Sequence, residues 1–536
     1  MLRRLTDVPL LLLALVLVLP VGGVLAAWLQ WDAASLSILQ EMAATVLPRY
    51  AAASLILCAI VAVGVAVVGV TSAVLVTLFD FPGRRLLEWA LLLPLAMPAY
   101  VVAYAYTDFL QFSGPLQGAL RAAFGLEGRV FPEVRNLPGA AWVFVFTLYP
   151  YVYLLARTAL SERATQLMEA ARLLGAPLSR RIRQVALPLA RPAVMAGVAL
   201  ALMETLADFG VASYFGIQTF TAGIYKAWLA MDNRIAAAQL ATSLLALVAA
   251  LLWLERRAQR RLRFASLRGG RAGSADAQPV RLAGARAALA AVLCVLPVVA
   301  GFVLPVLFML RPLLGAEVDL PWSRFLGWAF HSVRLGLAGA ALAALMAVVL
   351  AFALRQRPDP ITRGVVQLAG LGYAVPGAVI VVGLLMPVGW LQGQLPDLPV
   401  AFWVTGTVLG VVWAYLVRFM SVALQSVQSG YARIPTSLDD SARMLGTSGP
   451  ALLLRVHAPL LRRSVIAGAM LVFVDVMKEL PATLVLRPFN TDTLAVMAYQ
   501  LARDERLGEA ALPSLALVVV GLIPVALLGR ALRRPD

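Results

Sequence analysis

Apolar stretches long enough to cross a bilayer recur along this whole chain, and that recurrence limits its fold more than any other feature. A membrane-spanning helix needs about 20 mostly apolar residues. Twelve such stretches are legible, at 9–29, 51–78, 86–107, 139–160, 194–216, 236–254, 287–310, 332–354, 364–389, 400–425, 464–486 and 512–529. They specify an all-α, polytopic membrane protein of about 12 transmembrane helices. A 61% hydrophobic content and a mean hydropathy of +0.85 set the chain apart from soluble domains. The first stretch follows Arg3 and Arg4 and has the outline of a signal peptide, with Leu25-Ala26-Ala27 resembling a cleavage site. Followed by eleven further spans, it reads as a retained first helix.

The chain also repeats itself, 271 residues on. Glu169-Ala170-Ala171, Gly175 and Leu187-Pro188 return as Asp440-Ser441-Ala442, Gly446 and Ala458-Pro459 at the same spacing. The register runs on, placing Glu204 over Asp475 and Asp208 over Glu479. Residues 1–254 therefore form a first membrane repeat with a basic loop at 161–192, and 287–536 a second with a loop at 431–463. Six spans in each repeat insert both the same way up, so the repeats are parallel and a pathway between them follows. The third spans match as well. Met97-Pro98-Ala99 and Val375-Pro376-Gly377 each place a Pro thirteen residues after an Arg, Arg85 or Arg363. A Pro within a span frees backbone groups that only protein or a cavity can receive.

Between the repeats, 255–286 is a basic linker with nine Arg and the flexible run Gly269-Gly270-Arg271-Ala272-Gly273-Ser274. The net charge of +17 could suggest nucleic acid, but the basic residues crowd this linker and the two loops. Seven Arg fall from Arg157 to Arg191, and Arg256, Arg257, Arg260, Arg261 and Arg263 open the linker. That is the positive-inside distribution, with both termini cytoplasmic, and it excludes a nucleic-acid partner. Cys58 and Cys294 sit singly in apolar spans, and His331 and His457 are the only histidines, so no haem or zinc constellation is offered. The two lysines, Lys226 and Lys478, are followed by Ala and Glu. A phosphate-binding loop needs Lys followed by Ser or Thr, so the chain is no ATPase and is not an enzyme by itself.

Each basic loop reads as helix, break, helix. Glu169, Ala170, Ala171 and Leu174 favour a helix. Gly175 suits the left-handed C-terminal position, Pro177 the start of the next helix, and Leu187-Pro188 its end. In the second loop Gly446 makes the break, Ser448 caps and Pro450 follows. Such an elbow presents a rigid surface to another protein. Glu-Ala-Ala, Gly175, Val185 and Leu187-Pro188 together resemble the coupling loop of ABC importer permeases. The second loop departs at Asp440, Ser441 and Ala458. The resemblance implies a type I importer permease fold, two ATP-binding cassette subunits seated on the loops, and ATP bound by those partners rather than by this chain.

A second resemblance narrows the cargo. Met203-Glu204-Thr205-Leu206-Ala207-Asp208-Phe209-Gly210 and Asp475-Val476-Met477-Lys478-Glu479-Leu480-Pro481 are similar to the fused permeases of ferric-iron importers. The match implies a periplasmic ferric-ion-binding protein as partner and a multi-pass place in the bacterial inner membrane. Glu204 with Asp208, and Asp475 with Glu479, stand four apart and would share a helix face. An acid at mid-bilayer costs about 3 kcal/mol, so the four should face a cavity or partners. Carboxylate oxygens suit a hard cation. They equally suit structural pairing, as Asp475 with Lys478, and both readings stand, with no metal ligand assigned. Tyr100 and Tyr214 add oxygen donors or serve as interface anchors. The alternatives to iron are an organic cation such as thiamine or a polyamine, or an ion-coupled secondary transporter whose acids carry protons or sodium.

Overall fold

The computed structural model describes residues 2–29, 33–161, 165–262, 279–315 and 322–533. Arg263, the run Gly269–Ser274 and residues 162–164 of the first loop lie outside them. Among the described residues the only strand pairing is a two-residue parallel bridge, Phe79–Asp80 with Val280–Arg281. Ten helices among the described residues are long and apolar enough to cross a membrane, and one bent pair allows an eleventh. The bent pair is the expected third span. Arg84–Ala96 and Ala99–Phe124 meet at 91°, broken at Met97-Pro98. In the second repeat the break at Val375-Pro376 leaves Gly377–Gln394 as the apolar helix. Pro lacks an N–H and holds its predecessor extended, which ends a helix on the spot. The expected span at 464–486 is instead helix Ala458–Lys478, whose Arg462, Arg463, Asp475 and Lys478 make it too charged to count as apolar.

The chain forms two compact units, and neither is one repeat. The first unit comprises Met1–Thr45, Gly223–Leu245 and Pro321–Met497. Its centre is three helices of the second repeat, Trp322–Gln356, Leu409–Tyr431 and Ala458–Lys478, packed on one another. The chain's first helix, Leu2–Ala26, lies against Gly377–Gln394 in the same unit. Gly23 and Gly383 make that possible. A Cβ on Gly383 would fall 1.7 Å from the Pro20 carbonyl oxygen, and one on Gly23 2.2 Å from that of Gly383. Small residues let helices in lipid approach closely, where the hydrophobic effect supplies no drive. Trp413 Nε1 donates to the Val16 carbonyl at 2.7 Å, and Trp28 Nε1 to Thr242 Oγ1 at 2.9 Å.

The second unit comprises Val46–Ala222, Ala246–Leu320 and Ala498–Asp536. Its centre is Leu47–Leu78, Leu137–Ala159 and Leu187–Ala207 of the first repeat. Helix Leu304–Leu314, from the second repeat's first span, packs on Ala99–Leu110 and on the last helix, Leu507–Arg533. Tyr106 Oη donates to the Ala300 carbonyl at 2.8 Å, and a Cβ on Gly521 would meet the Ala96 oxygen at 2.2 Å. Each repeat therefore lends its outer spans to the unit built on the other's centre.

Candidate coupling and pathway sites

The two loops fold alike. In the first, helix Thr165–Leu173 stops at Gly175, whose φ of 79° is costly for any residue with a Cβ. Gly175 N–H donates to the Arg172 carbonyl at 2.9 Å and Ala176 N–H to that of Ala171 at 3.0 Å. In the second, helix Thr436–Met444 stops at Gly446 with the same φ, and the matching bonds run from Gly446 to Arg443 and from Thr447 to Ala442, both at 2.9 Å. This pair of bonds is the Schellman closure of a helix end. Ion pairs repeat too, Arg172 with Glu169 and Arg443 with Asp440. Ala171 is half-buried and Ala442 buried, while Ala170, Asp440 and Ser441 are exposed.

Beyond the elbow the structure corrects the expected stop. Leu187-Pro188 and Ala458-Pro459 do not end a helix. Leu178–Ala207 is one continuous helical span, with a wide π turn at Ile182–Ala186, and Leu453–His457 is the corresponding turn of the second repeat. Pro188 and Pro459 offer no N–H, and the turn before each widens to take up the loss. Pro177 caps the short helix Leu178–Arg181 rather than entering it. Ser448 stands at its expected cap position without a side-chain hydrogen bond.

The elbow also presents residues that the sequence reading did not single out for contact. Leu173 and Leu174 are each 87% exposed, and Met444 and Leu445 are 89% and 85% exposed. Large apolar side chains so bare, at matching places on two elbows, suit insertion into a partner's pocket. The signal was their shared register immediately before each Gly.

The acid pairs do not share a helix face. Helix Leu187–Ala207 ends before Asp208 and helix Ala458–Lys478 before Glu479, and both acids are extended (ψ 132° and 120°). Each caps the short helix that follows. Asp208 Oδ1 accepts from Val211 N–H at 2.8 Å, ahead of Gly210–Phe215. Glu479 accepts from Ala482 N–H at 2.8 Å, from Thr483 N–H at 2.9 Å and from Thr483 Oγ1 at 2.5 Å, ahead of Pro481–Leu486. Arg418 Nη1 adds a fourth donor at 3.3 Å, and Glu479 is 4% exposed. Glu204 and Asp475, one turn earlier, are half-buried. Among the described residues Glu204 makes no hydrogen bond or ion pair.

Tyr100 and Tyr214 are buried rather than anchored at an interface. Tyr104 lies between them, its ring 5.7 Å from Tyr100 and 4.7 Å from Tyr214. Arg135 closes this end of the second unit, paired with both Glu505 oxygens at 2.8 and 2.9 Å and donating to Tyr214 Oη at 3.1 Å. The Arg135 hydrogen bonds hold the Glu505 carboxyl below its ordinary range.

Residues 65–264 match the family described as "Binding-protein-dependent transport system inner membrane component". Along most of its length the chain is similar to the Fe(3+)-transport system permease protein FbpB 2 of Haemophilus influenzae, 24% identical over 480 residues, 89% of this chain and 88% of that one. Shorter matches are to the sulfate transport system permease protein CysT of Salmonella typhimurium, 33% identical over 27% of this chain and 50% of that one. The putative 2-aminoethylphosphonate transport system permease protein PhnU of Salmonella paratyphi A is 29% identical over 32% of this chain and 61% of that one.

Proposed function

Because this chain belongs to the ABC permeases, the multi-pass inner-membrane components of binding-protein-dependent transport systems, we propose that it imports ferric ion. A periplasmic binding protein delivers the cargo, and separate ATPase subunits bind ATP and drive alternating access through the two elbows. Both termini are cytoplasmic under this reading. The observation that carries the cargo assignment is the half-buried acid repeated in register, Glu204 and Asp475, near the end of the corresponding helix of each repeat. A carboxylate in low dielectric repels sulfate or a phosphonate and favours a hard cation. Similarity across nearly the whole chain to an Fe(3+) permease supports the same cargo. The anion-permease matches are confined to about a third of the chain or less.

The test is uptake into proteoliposomes holding this chain, its ATPase subunits and its binding protein. ATP-dependent entry of labelled ferric ion, undiminished by excess thiamine, spermidine or sulfate, is expected. Entry of an organic cation or of sulfate alone would replace the cargo. Entry without nucleotide under a proton gradient would remove the importer reading.

A further inference from the structure

The two coupling helices share a register but not an anchorage. Arg355, in the last turn of Trp322–Gln356, pairs with both oxygens of Asp439 in the second coupling helix, Nε to Oδ2 at 2.9 Å and Nη2 to Oδ1 at 3.1 Å. Its other N–H groups reach the carbonyls of Ile434 at 2.9 Å and Pro435 at 3.0 Å, just past helix Leu409–Tyr431. Asp439 Oδ1 also meets His457 Nε2 at 3.0 Å, and His457 Nδ1 meets Tyr431 Oη at 3.2 Å. A neutral imidazole protonated at Nε2 satisfies both, donating to Asp439 and accepting from the tyrosine. His457 is wholly buried and Asp439 is 4% exposed. A second tie runs from Arg443 Nη2 to Gln356 Oε1 at 2.7 Å. One buried carboxylate thus joins the ends of two membrane helices, the coupling helix and the π turn leading into Ala458–Lys478.

Among the described residues the first repeat has no counterpart of this network. The same register puts Leu160 at the place of Tyr431, Met168 at that of Asp439 and Ala186 at that of His457, all buried and apolar. The register set by Pro98 and Pro376 puts Thr77 where Arg355 stands, and the Thr77 hydroxyl is buried without a partner. Bidentate guanidinium–carboxylate bonding fixes distance and angle together, whereas a Met in an apolar seat slides and changes rotamer readily.

We propose that the second coupling loop is the stiff transmission of this permease and the first a compliant one, with Arg355 and Asp439 as the positioning residues that make the difference. The inference rests on the proposed coupling of these loops to ATPase subunits. Motion of a partner at Met444-Leu445 passes through Asp439 directly into Trp322–Gln356 and the π turn. Motion at Leu173-Leu174 meets apolar Met168, Leu160 and Ala186 at the corresponding positions.

The first measurement is amide hydrogen exchange on the full permease in lipid nanodiscs, comparing 436–445 with 167–174. At least about tenfold slower exchange in the second coupling helix is expected, abolished by Asp439→Asn. The second is the ratio of ATP hydrolysed to ferric ion moved in the reconstituted complex. Asp439→Asn should raise it at least threefold; simple loss of folded protein would lower both quantities together and leave the ratio alone. Should Asp439→Asn fold poorly, the triple variant R355T/D439M/H457A gives the second loop the first loop's anchor and is read the same way. Equal exchange in the two helices, or an unchanged ratio in both variants, overturns the proposal. Absence of ATP-dependent uptake by the wild-type complex, with the exchange difference intact, overturns the function reading and the transmission role with it.

Discussion

In each repeat, two acids four residues apart divide their work. Glu479 receives four donors, and an ionised carboxylate has about four acceptor positions, so no lone pair is left for a passing cation. Its charge serves Arg418 and the start of Pro481–Leu486. Glu479→Gln takes the carboxylate from Arg418 and should cost about 3 kcal/mol of stability, read as a lower apparent Tm in detergent. Glu204→Gln should leave that Tm where it is, and both Glu204→Gln and Asp475→Asn should reduce ferric uptake at least about tenfold. Wild-type uptake by both of these variants would take the two acids out of the pathway. The sequence made all four acids legible as intramembrane charges, but not their unequal roles. Their spacing of four implies a shared face only while the helix continues. It stops at Ala207 and Lys478, and the next residue's carboxylate accepts hydrogen bonds from the start of the short helix beyond.

At the scale of elements, the elbows were readable because their determinants are local. A Gly after a run of helix formers, followed by a Pro, admits few conformations, and Gly175 and Gly446 adopt the expected one. The π turns were not readable. A Pro inside a basic segment signals a stop, and only the packing of the continuing span decides that the helix widens instead. If the elbows seat in ATPase subunits through their bare tips, Leu174→Glu and Leu445→Glu should each weaken that association about thirtyfold or more, measured as the Kd of the ATPase for the permease. Unaltered Kd values would move the docking surface elsewhere. The Arg135–Glu505 pair makes a different prediction, in pH. Glu505 has its pKa lowered from 4.5 by Arg135, so its contribution is present above pH 4.5 and disappears as pH falls through the lower folded value. Its carboxylate is more than half exposed, which limits the contribution to about 0.5 kcal/mol. Arg135→Gln should therefore lower the Tm slightly at pH 7, by an amount that shrinks as pH falls below 4.5. A difference that does not shrink with falling pH would assign it to the Tyr214 contact instead.

At the scale of the whole molecule, the repeats are units of sequence, and the compact units are assembled from both. Nothing local encodes the exchange. Hydropathy gives the length of Leu2–Ala26 but not its neighbour, and the cue is a pair of glycines, Gly23 and Gly383, separated by 360 residues of sequence. The exchange has a consequence for a chain cut in the linker. A fragment ending at residue 262 keeps the first repeat's central helices but lacks Leu304–Leu314 and Leu507–Arg533, which pack on Ala99–Leu110 in the intact unit. A fragment beginning at residue 279 likewise lacks Leu2–Ala26 and Gly223–Leu245. Helices in lipid associate through close packing and hydrogen bonds, and each fragment alone leaves such faces, Gly383 and the Ala300 carbonyl among them, without their counterparts. Either fragment expressed singly should be degraded or aggregate, while the two expressed together should copurify and support ATP-dependent uptake. The described contacts that hold each unit are non-covalent and lie on either side of the cut. Stable accumulation of one fragment by itself, with monodisperse elution and protection of 377–394 from hydrogen exchange, would mean that a repeat folds without the borrowed spans.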